Sequence, residues 1–213
     1  MSAEATHSAD LQNPANMRGD LIHPRWVRIT HWINALAVFM MIGSGWQIYD
    51  ASPLFRFIYF PSQFALGGWL AVALLWHFAA MWLFAVNFIV YVTLGIATGR
   101  FRNKLFPIRA REVWNDVTAA LRGKLSHDDL TVYNAVQRLL YLGVILAAVV
   151  IVLSGLSIWK PVQLKYLTDV FGGYDTARYV HFFAMSSIVA FLTIHIALAL
   201  LVPKSLRAMI LGR

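Results

Sequence analysis

Residues 181–195 read HFFAMSSIVAFLTIH, a stretch without an acidic or a Lys or Arg side chain. Its two histidines, His181 and His195, stand 14 positions apart. In an α-helix with about 100° of rotation and about 1.5 Å of rise per residue, this spacing places both imidazoles on one face, about 21 Å apart along the axis. The stretch predicts an apolar helix that presents two histidines to its neighbours, at two positions along its axis.

Outward from this stretch, the whole chain has the composition of a membrane protein. Of its 213 residues, 59% are hydrophobic and 13% are charged, a balance that soluble domains of this size rarely show. A hydrocarbon core of roughly 30 Å requires about 20 apolar residues in a helix. The apolar stretches of at least this length are residues 29–49, 66–98, 135–159 and 179–202.

These stretches predict an all-α membrane protein, a bundle of four transmembrane helices. Residues 1–28 are expected to form a polar N-terminal cytoplasmic segment without the pattern of a secretory signal, and residues 29–213 a single membrane domain. The second stretch has 33 residues, more than the bilayer requires. We therefore expect it to tilt or to project beyond the membrane.

The distribution of positive charge predicts the orientation of the bundle. Of the 18 Lys and Arg residues, 14 lie in the N-terminal segment, the central loop with its edges, and the C-terminal tail. The loops at 50–65 and 160–178 contain the other 4. Because Lys and Arg concentrate in cytoplasmic loops, both termini are expected on the cytoplasmic side of a bacterial inner membrane. The net charge of +8 follows from this asymmetry, so no nucleic-acid partner is expected.

The central cytoplasmic loop is expected to contain a short helix that lies on the membrane surface. Between residues 109 and 124, Val113, Trp114 and Val117 recur at helical spacing against charged residues such as Arg111 and Asp116. This pattern is typical of an amphipathic interfacial helix.

Four histidines inside the spans carry the functional prediction. The chain has no cysteine, so any metal must be held by histidine. Ionisable side chains in a membrane span usually mark functional sites that face the bundle interior. By orientation, His31 pairs with His195 near the cytoplasm and His77 with His181 near the outer face. Each pair is expected to supply both axial ligands of one haem iron, two haems in all, which favours one-electron transfer.

Other interpretations of the histidines stay open at this point. They could be hydrogen-bonded core residues without a metal, or parts of a zinc site or proton relay, although no carboxylate accompanies them in the spans. The depths of the outer pair also differ in the sequence. His77 lies 11 residues past Leu66, whereas His181 lies 3 residues past Arg178. The pairing would require the second helix to begin about two turns outside the hydrocarbon.

Two smaller predictions concern residues near these sites. Gly45 lies 14 residues after His31, so it faces the same way one level deeper. There it would leave room for the outer haem, or it would form a small-residue packing patch with Gly43. The remaining histidines, which we expect to be surface residues, are His7, His23 and His127.

From about Arg25 to Arg213 the chain resembles the membrane cytochrome b subunits of bacterial formate dehydrogenase and nickel–iron hydrogenase complexes, a family with relatives in thiosulfate reductase and other periplasmic molybdoenzyme complexes. The motifs that carry the resemblance are RITHWINA around His31, His77, YNAVQR at 133–138, SGLSIWKP at 154–161 and the stretch at 181–195. The resemblance implies four histidine ligands for two b haems, an exported redox partner on the outer side and quinone chemistry near the cytoplasmic haem.

The resemblance also implies a quinone pocket that includes Asn134 and Gln137. The alternative is that Asn134 caps the third helix and Gln137 is an interfacial residue. Haem propionates require cationic or hydrogen-bonding partners. The nearest candidates are Arg178 for the outer haem and Arg25 or Arg28 for the inner one, although arginines at helix ends also serve as interface anchors.

The leading interpretation is a dihaem b-type cytochrome that transfers electrons across the membrane between a periplasmic redox enzyme and the quinone pool. Substrate chemistry is expected in the partner, because the external loops are too short for a catalytic domain. The alternatives are a self-sufficient cytochrome b561-like quinone reductase with a soluble donor such as superoxide, and a haem-free membrane anchor or small transporter.

Overall fold

A computed structural model describes residues 22–122 and 133–212, and within these ranges the chain is helical without a strand. Its α-helices are α1 (Arg25–Ala51), α2 (Leu70–Ala97), α3 (Arg100–Leu105), α4 (Ala110–Leu121), α5 (Ala135–Trp159), α6 (Lys165–Val170), α7 (Tyr174–Leu201) and α8 (Pro203–Leu211). A short 3-10 turn occupies Ser62–Phe64. By length and composition α1, α2, α5 and α7 are able to cross a membrane, which confirms the predicted four spans.

The four long helices pack mainly as two pairs, α1 with α2 and α5 with α7. One end of the bundle, called here the terminal side, holds both ends of the described chain. There the Ile22 amide donates to the Gly212 carbonyl at 3.0 Å, and Arg100 lies 3.2 Å from the His23 ring. The opposite end, called here the loop side, holds the connections from α1 to α2 and from α5 to α7.

Small residues form the contacts between the helices, and large apolar residues face outward. Ala37, Ala73 and Ala80 are buried almost completely, whereas Leu75 and Ile89 are more than 60% exposed. Close helix approach through small side chains is typical of membrane bundles, because lipid solvates the large apolar side chains. The exposed leucines and isoleucines therefore correspond to the lipid-facing surface.

The observed helix boundaries correct the predicted depth mismatch. Helix α2 has 28 residues rather than 33, and α7, also of 28 residues, begins at Tyr174 rather than near residue 179. His77 and His181 therefore each lie seven residues past the first residue of their helix, since 77 − 70 and 181 − 174 are equal. The prediction that the second helix must be oversized to bring His77 to the depth of His181 was wrong, because the two histidines already lie equally far from the starts of their helices.

The apolar residues before α2 form a turn rather than helix. Gly67 and Gly68 have φ values of +114° and +71°, a region that only glycine adopts readily. The Leu66 amide donates to the Gly43 carbonyl at 2.9 Å, so the turn is attached to α1. Hydrophobicity alone could not distinguish this turn from the helix that follows it.

A helix does occupy the central loop, as the sequence predicted. Helix α4 covers Ala110–Leu121, whereas residues 123 and 124 of the predicted helix lie outside the described ranges. The Ala135 amide at the start of α5 donates to the Asp116 carboxylate at 2.7 Å, and Trp114 is 70% exposed. The helix is thus attached to the bundle by its polar face and presents an aromatic side chain outward.

Candidate functional site

His31 and His195 meet near the terminal side of the bundle. Helix α1 supplies the first and α7 the second, and their ring centroids lie 6.0 Å apart with the planes inclined by 60°. Aromatic neighbours flank both rings, with Trp32 at 5.3 Å from His31 and Phe191 at 5.5 Å from His195. The structure therefore brings together the two residues that the sequence assigned to one level.

His77 and His181 form a second pair, deeper toward the loop side. His77 of α2 contacts Ser44 of α1, with 3.0 Å between the serine Oγ and the histidine Nδ1. His181 of α7 makes the same contact with Ser154 of α5 at 3.1 Å. Each packed helix pair of the bundle therefore contributes one of these two histidines.

A glycine adjoins each of these deeper histidines. A Cβ atom at Gly45 would lie 3.4 Å from Cε1 of His77, and one at Gly155 would lie 3.1 Å from Cε1 of His181. Gly43 instead packs against Leu66 and the Phe64 carbonyl. Gly45 therefore faces a histidine, whereas Gly43 packs against the turn that precedes α2.

The four histidines fit axial ligation of haem iron better than a protein-only metal site. A structural zinc ion takes four protein ligands and a catalytic one takes three. Among the described residues no group of three or more His, Cys, Asp or Glu side chains is placed to hold a metal. Bis-histidine haem needs only two imidazoles, because the macrocycle provides the other nitrogens. With metal–nitrogen bonds of about 2 Å, two ring centroids on one metal lie about 6 Å apart, and the His31–His195 separation is 6.0 Å.

The arginines predicted to bind propionates make backbone contacts at the two ends of the bundle. Arg28 donates from Nη1 to the Ile210 carbonyl at 2.7 Å, and Arg178 donates from Nη2 to the Ser52 carbonyl at 2.6 Å. Arg25 is exposed. Because a guanidinium has five N–H donors, these contacts leave donors on Arg28 and Arg178 for an anionic group.

Asn134 and Gln137 form a reciprocal capping box at the start of α5. The Gln137 amide donates to the Asn134 side-chain oxygen at 2.7 Å, and the Asn134 amide donates to the Gln137 side-chain oxygen at 3.1 Å. Asn134 therefore caps this helix, which was the alternative to a role in a quinone pocket. The contacts use only the two side-chain oxygens, so each side chain retains its NH₂ group as a donor.

His23 is not the surface residue that the sequence predicted. It is 8% exposed, because the segment before α1 packs against α3 and the C-terminus. Burial, followed by the positive charge of Arg100, lowers its pKa to about 4, so the ring is neutral near pH 7. His7 and His127 lie outside the described residues.

Sequence reasoning missed several polar residues that support the site. Ser44 and Ser154 were not singled out, although the chain repeats SG-x-x-I at residues 44–48 and 154–158. Asn87 was also missed. Its side-chain NH₂ donates to the Thr30 carbonyl and to the Asn34 side-chain oxygen, both at 2.7 Å, and so joins α2 to α1. An intramembrane asparagine was the available signal.

Comparison with known proteins places this arrangement in a family. The family model described as prokaryotic cytochrome b561 matches residues 22–212. The chain belongs to the prokaryotic cytochrome b561 family. Membership implies b-type haem and electron transfer, and the four apolar helices fit a multi-pass bacterial membrane protein.

Two relatives agree with this assignment to the cytochrome b561 family. One, from Azospira oryzae, is named "Putative protein-methionine-sulfoxide reductase subunit YedZ1"; it is 53% identical over 191 residues, which cover 90% of this chain and 96% of the relative. The other, from Cupriavidus necator, is named "Probable Ni/Fe-hydrogenase B-type cytochrome subunit"; it is 21% identical over 214 residues, which cover 93% of this chain and 86% of the relative. Both names describe subunits of redox enzyme complexes.

Proposed function

We propose that this cytochrome b561-family chain is a dihaem electron-transfer subunit of the bacterial inner membrane that connects the quinone pool to a periplasmic redox enzyme. The observation that carries the proposal is the 6.0 Å approach of the His31 and His195 rings, with His77 and His181 at matching positions in α2 and α7. We propose that His31 pairs with His195 and that His77 pairs with His181. Each pair joins α7 to a helix of the other packed pair, so each would hold one b haem between the two halves of the bundle. When bound, the haems supply one-electron oxidation and reduction.

The charge distribution supports a cytoplasmic position for the terminal side. The terminal side holds Arg28, Arg100 and Arg138, each near the end of a span. Such a concentration of positive charge is typical of the cytoplasmic side. Helix α4 would then lie on the cytoplasmic membrane surface with Trp114 at the headgroups. By the same orientation, the loops at 50–65 and 160–178 face the periplasm, where an exported enzyme would dock.

We propose a protein-methionine-sulfoxide reductase as the partner rather than a hydrogenase. The relative named as a putative protein-methionine-sulfoxide reductase subunit is 53% identical to this chain, whereas the relative named as a hydrogenase cytochrome subunit is 21% identical. Reduction of a methionine sulfoxide to methionine consumes two electrons and two protons and releases water. Oxidation of a quinol releases two electrons and two protons, so electrons would flow from quinol outward to the partner.

The capping box at the start of α5 is the proposed quinol site. Asn134 and Gln137 lie at the terminal end of α5, on the side of the bundle that holds His31 and His195. A quinone carbonyl accepts hydrogen bonds, and the NH₂ groups of both side chains provide donors. We also propose that Arg178 contacts a propionate of the outer haem, and Arg25 or Arg28 a propionate of the inner haem, through guanidinium N–H donors.

The decisive experiment is haem quantitation and a reduced-minus-oxidised spectrum on the protein purified in detergent. We expect about two b haems per chain; a colourless protein would show that it is a haem-free anchor. The reduced protein is then mixed separately with oxidised sulfoxide reductase plus an oxidised-methionine protein and with oxygen alone, and the oxidised protein is mixed with superoxide. Reoxidation only in the first mixture supports the proposed partner, whereas reduction by superoxide would favour the self-sufficient quinone reductase.

A further inference from the structure

The serine contacts of His77 and His181 form one arrangement that occurs twice in the chain. In α1, Ser44 and Gly45 face His77 of α2; in α5, Ser154 and Gly155 face His181 of α7. Both serines are 0% exposed. The same three residue types, Ser, Gly and His, therefore occur in the same geometry in both packed helix pairs. The repetition indicates that the two histidines share one requirement.

Each serine hydroxyl also lies within hydrogen-bond distance of a carbonyl oxygen of its own helix. Ser44 donates to the Met40 carbonyl at 2.6 Å, and Ser154 donates to the Val150 carbonyl at 2.7 Å. A serine hydroxyl has only one proton to donate. Its lone pairs therefore face Nδ1 of the histidine, at 3.0 Å for His77 and 3.1 Å for His181.

The facing imidazole nitrogen must in consequence carry a proton. For His181 a second acceptor supports this assignment, since the Ile151 carbonyl lies 3.1 Å from Nδ1 and a carbonyl cannot donate. In a neutral imidazole with a proton on Nδ1, the lone pair is on Nε2.

We infer that Ser44 and Ser154 are positioning residues that fix His77 and His181 in the tautomer that binds iron through Nε2. This inference rests on the proposed haem ligation. A hydrogen bond from the second ring nitrogen sets the orientation of a ligating histidine and makes it a stronger electron donor. The other pair is built differently: within residues 22–122 and 133–212, His31 and His195 make ring contacts but no hydrogen bond through a ring nitrogen. The serines therefore act on one haem level only.

The test is the double variant Ser44→Ala/Ser154→Ala in the full-length, haem-loaded protein. Loss of a hydrogen-bonding partner of a metal-ligating histidine weakens metal affinity by about 10- to 100-fold. We expect this loss for one of the two haems, and we expect the midpoint potential of that haem to rise because its ligands donate less charge. The second haem, held by His31 and His195, should keep its spectrum and potential and so report that the bundle is folded.

Two further variants separate tautomer control from packing. Ser186→Ala removes a hydroxyl from α7 that also donates to the carbonyl four residues earlier, Phe182 O at 2.9 Å, and it should leave both haems unchanged. Ser44→Thr/Ser154→Thr keeps both hydroxyls and should restore the potential. Unchanged haems in the alanine double variant, or equal loss of both, would overturn the inference. A wild-type protein without haem would instead refute the proposed function.

Discussion

The imidazole rings of His31 and His195 lie 6.0 Å apart although they belong to the first and the last of the four long helices. The separation would suit the proposed ligation of one haem iron by both rings, and Trp32 and Phe191 pack against the rings. His77 and His181 contact Ser44 and Ser154 instead, and each lies seven residues past the first residue of its helix, α2 or α7. The two levels should therefore lose their haems independently.

Single histidine substitutions are expected to fall into two classes. His77→Ala or His181→Ala should lower the haem content from about two to about one per chain, and His31→Ala or His195→Ala should remove the other haem. The measurement is the pyridine haemochrome content combined with the redox titration of the haem that remains. The remaining haem should have the same midpoint potential in His77→Ala and His181→Ala. It should have a different potential in His31→Ala and His195→Ala. Four variants that all lose both haems would contradict independent levels.

Side chains added at the two site glycines should perturb the His77–His181 level unequally. Gly155→Ala would place a Cβ 3.1 Å from His181, and Gly45→Ala would place one 3.4 Å from His77, an ordinary contact distance. Overpacking of this kind costs about 1–3 kcal/mol, so Gly155→Ala should shift the haem spectrum and lower thermal stability more than Gly45→Ala does.

Gly143→Ala is the matched control for the glycine variants. Gly143 lies in α5 like Gly155, but a Cβ there would meet nothing within 4 Å. Replacing a helical glycine with alanine stabilises a helix by about 0.8–1 kcal/mol. The control should therefore leave the haem spectrum unchanged. Equal shifts in Gly143→Ala and Gly155→Ala would show that helix propensity, and not contact with His181, is responsible.

The fold was largely predictable from hydrophobic length, and the pairing of histidines from helical geometry. Helix α5 matches its predicted range, 135–159, because polar residues bound it on both sides. The start of α2 was missed because the turn at Gly67 and Gly68 is as apolar as the helix. The start of α7 was missed because its first turn contains charged residues outside the apolar stretch.

The polar contacts inside the bundle could not be predicted in the same way. Serines in helices commonly donate to the carbonyl four residues earlier, and Ser186 does so like Ser44 and Ser154. Only the packing of α1 on α2 and of α5 on α7 shows which hydroxyls also face a histidine. His23 was misassigned for a related reason, since its burial depends on residues near 100 and 212 that are distant in sequence.

The burial of His23 predicts a stability that decreases in acid. Burial and the nearby Arg100 lower its pKa from 6.5 to about 4, so the folded state binds fewer protons than the unfolded state between these values. The contribution of the neutral His23 ring to the free energy of unfolding is complete above pH 6.5 and is lost as the pH falls toward 4. At 1.36 kcal/mol per pKa unit, the loss amounts to at most about 3 kcal/mol. Thermal unfolding of the wild type and of His23→Gln from pH 4 to 8 measures the effect. The difference between the two proteins should depend on pH in this window, and a constant difference would contradict the prediction.

The Asn87 contacts predict a polar stabilisation of the α1–α2 pair. Asn87 is 8% exposed and donates two hydrogen bonds of 2.7 Å to α1. Hydrogen bonds between membrane helices contribute about 0.6 kcal/mol on average and at most about 1.7 kcal/mol each. Asn87→Leu should therefore lower the free energy of unfolding by about 1–3 kcal/mol. Thr193→Val, which removes a hydroxyl bonded only within its own helix, serves as the control and should have a smaller effect.

The capping box offers a way to separate a structural from a quinone-binding role of Asn134. Asp is as good a helix cap as Asn, so Asn134→Asp keeps the acceptor for the Gln137 amide but removes the NH₂ donor. It should preserve thermal stability and lower the rate of quinol-dependent haem reduction. Asn134→Ala should lower both, with a loss of about 1 kcal/mol in stability. If Asn134→Asp reduces its haems at the wild-type rate while Asn134→Ala does not, Asn134 acts only as a cap and does not donate to the quinol.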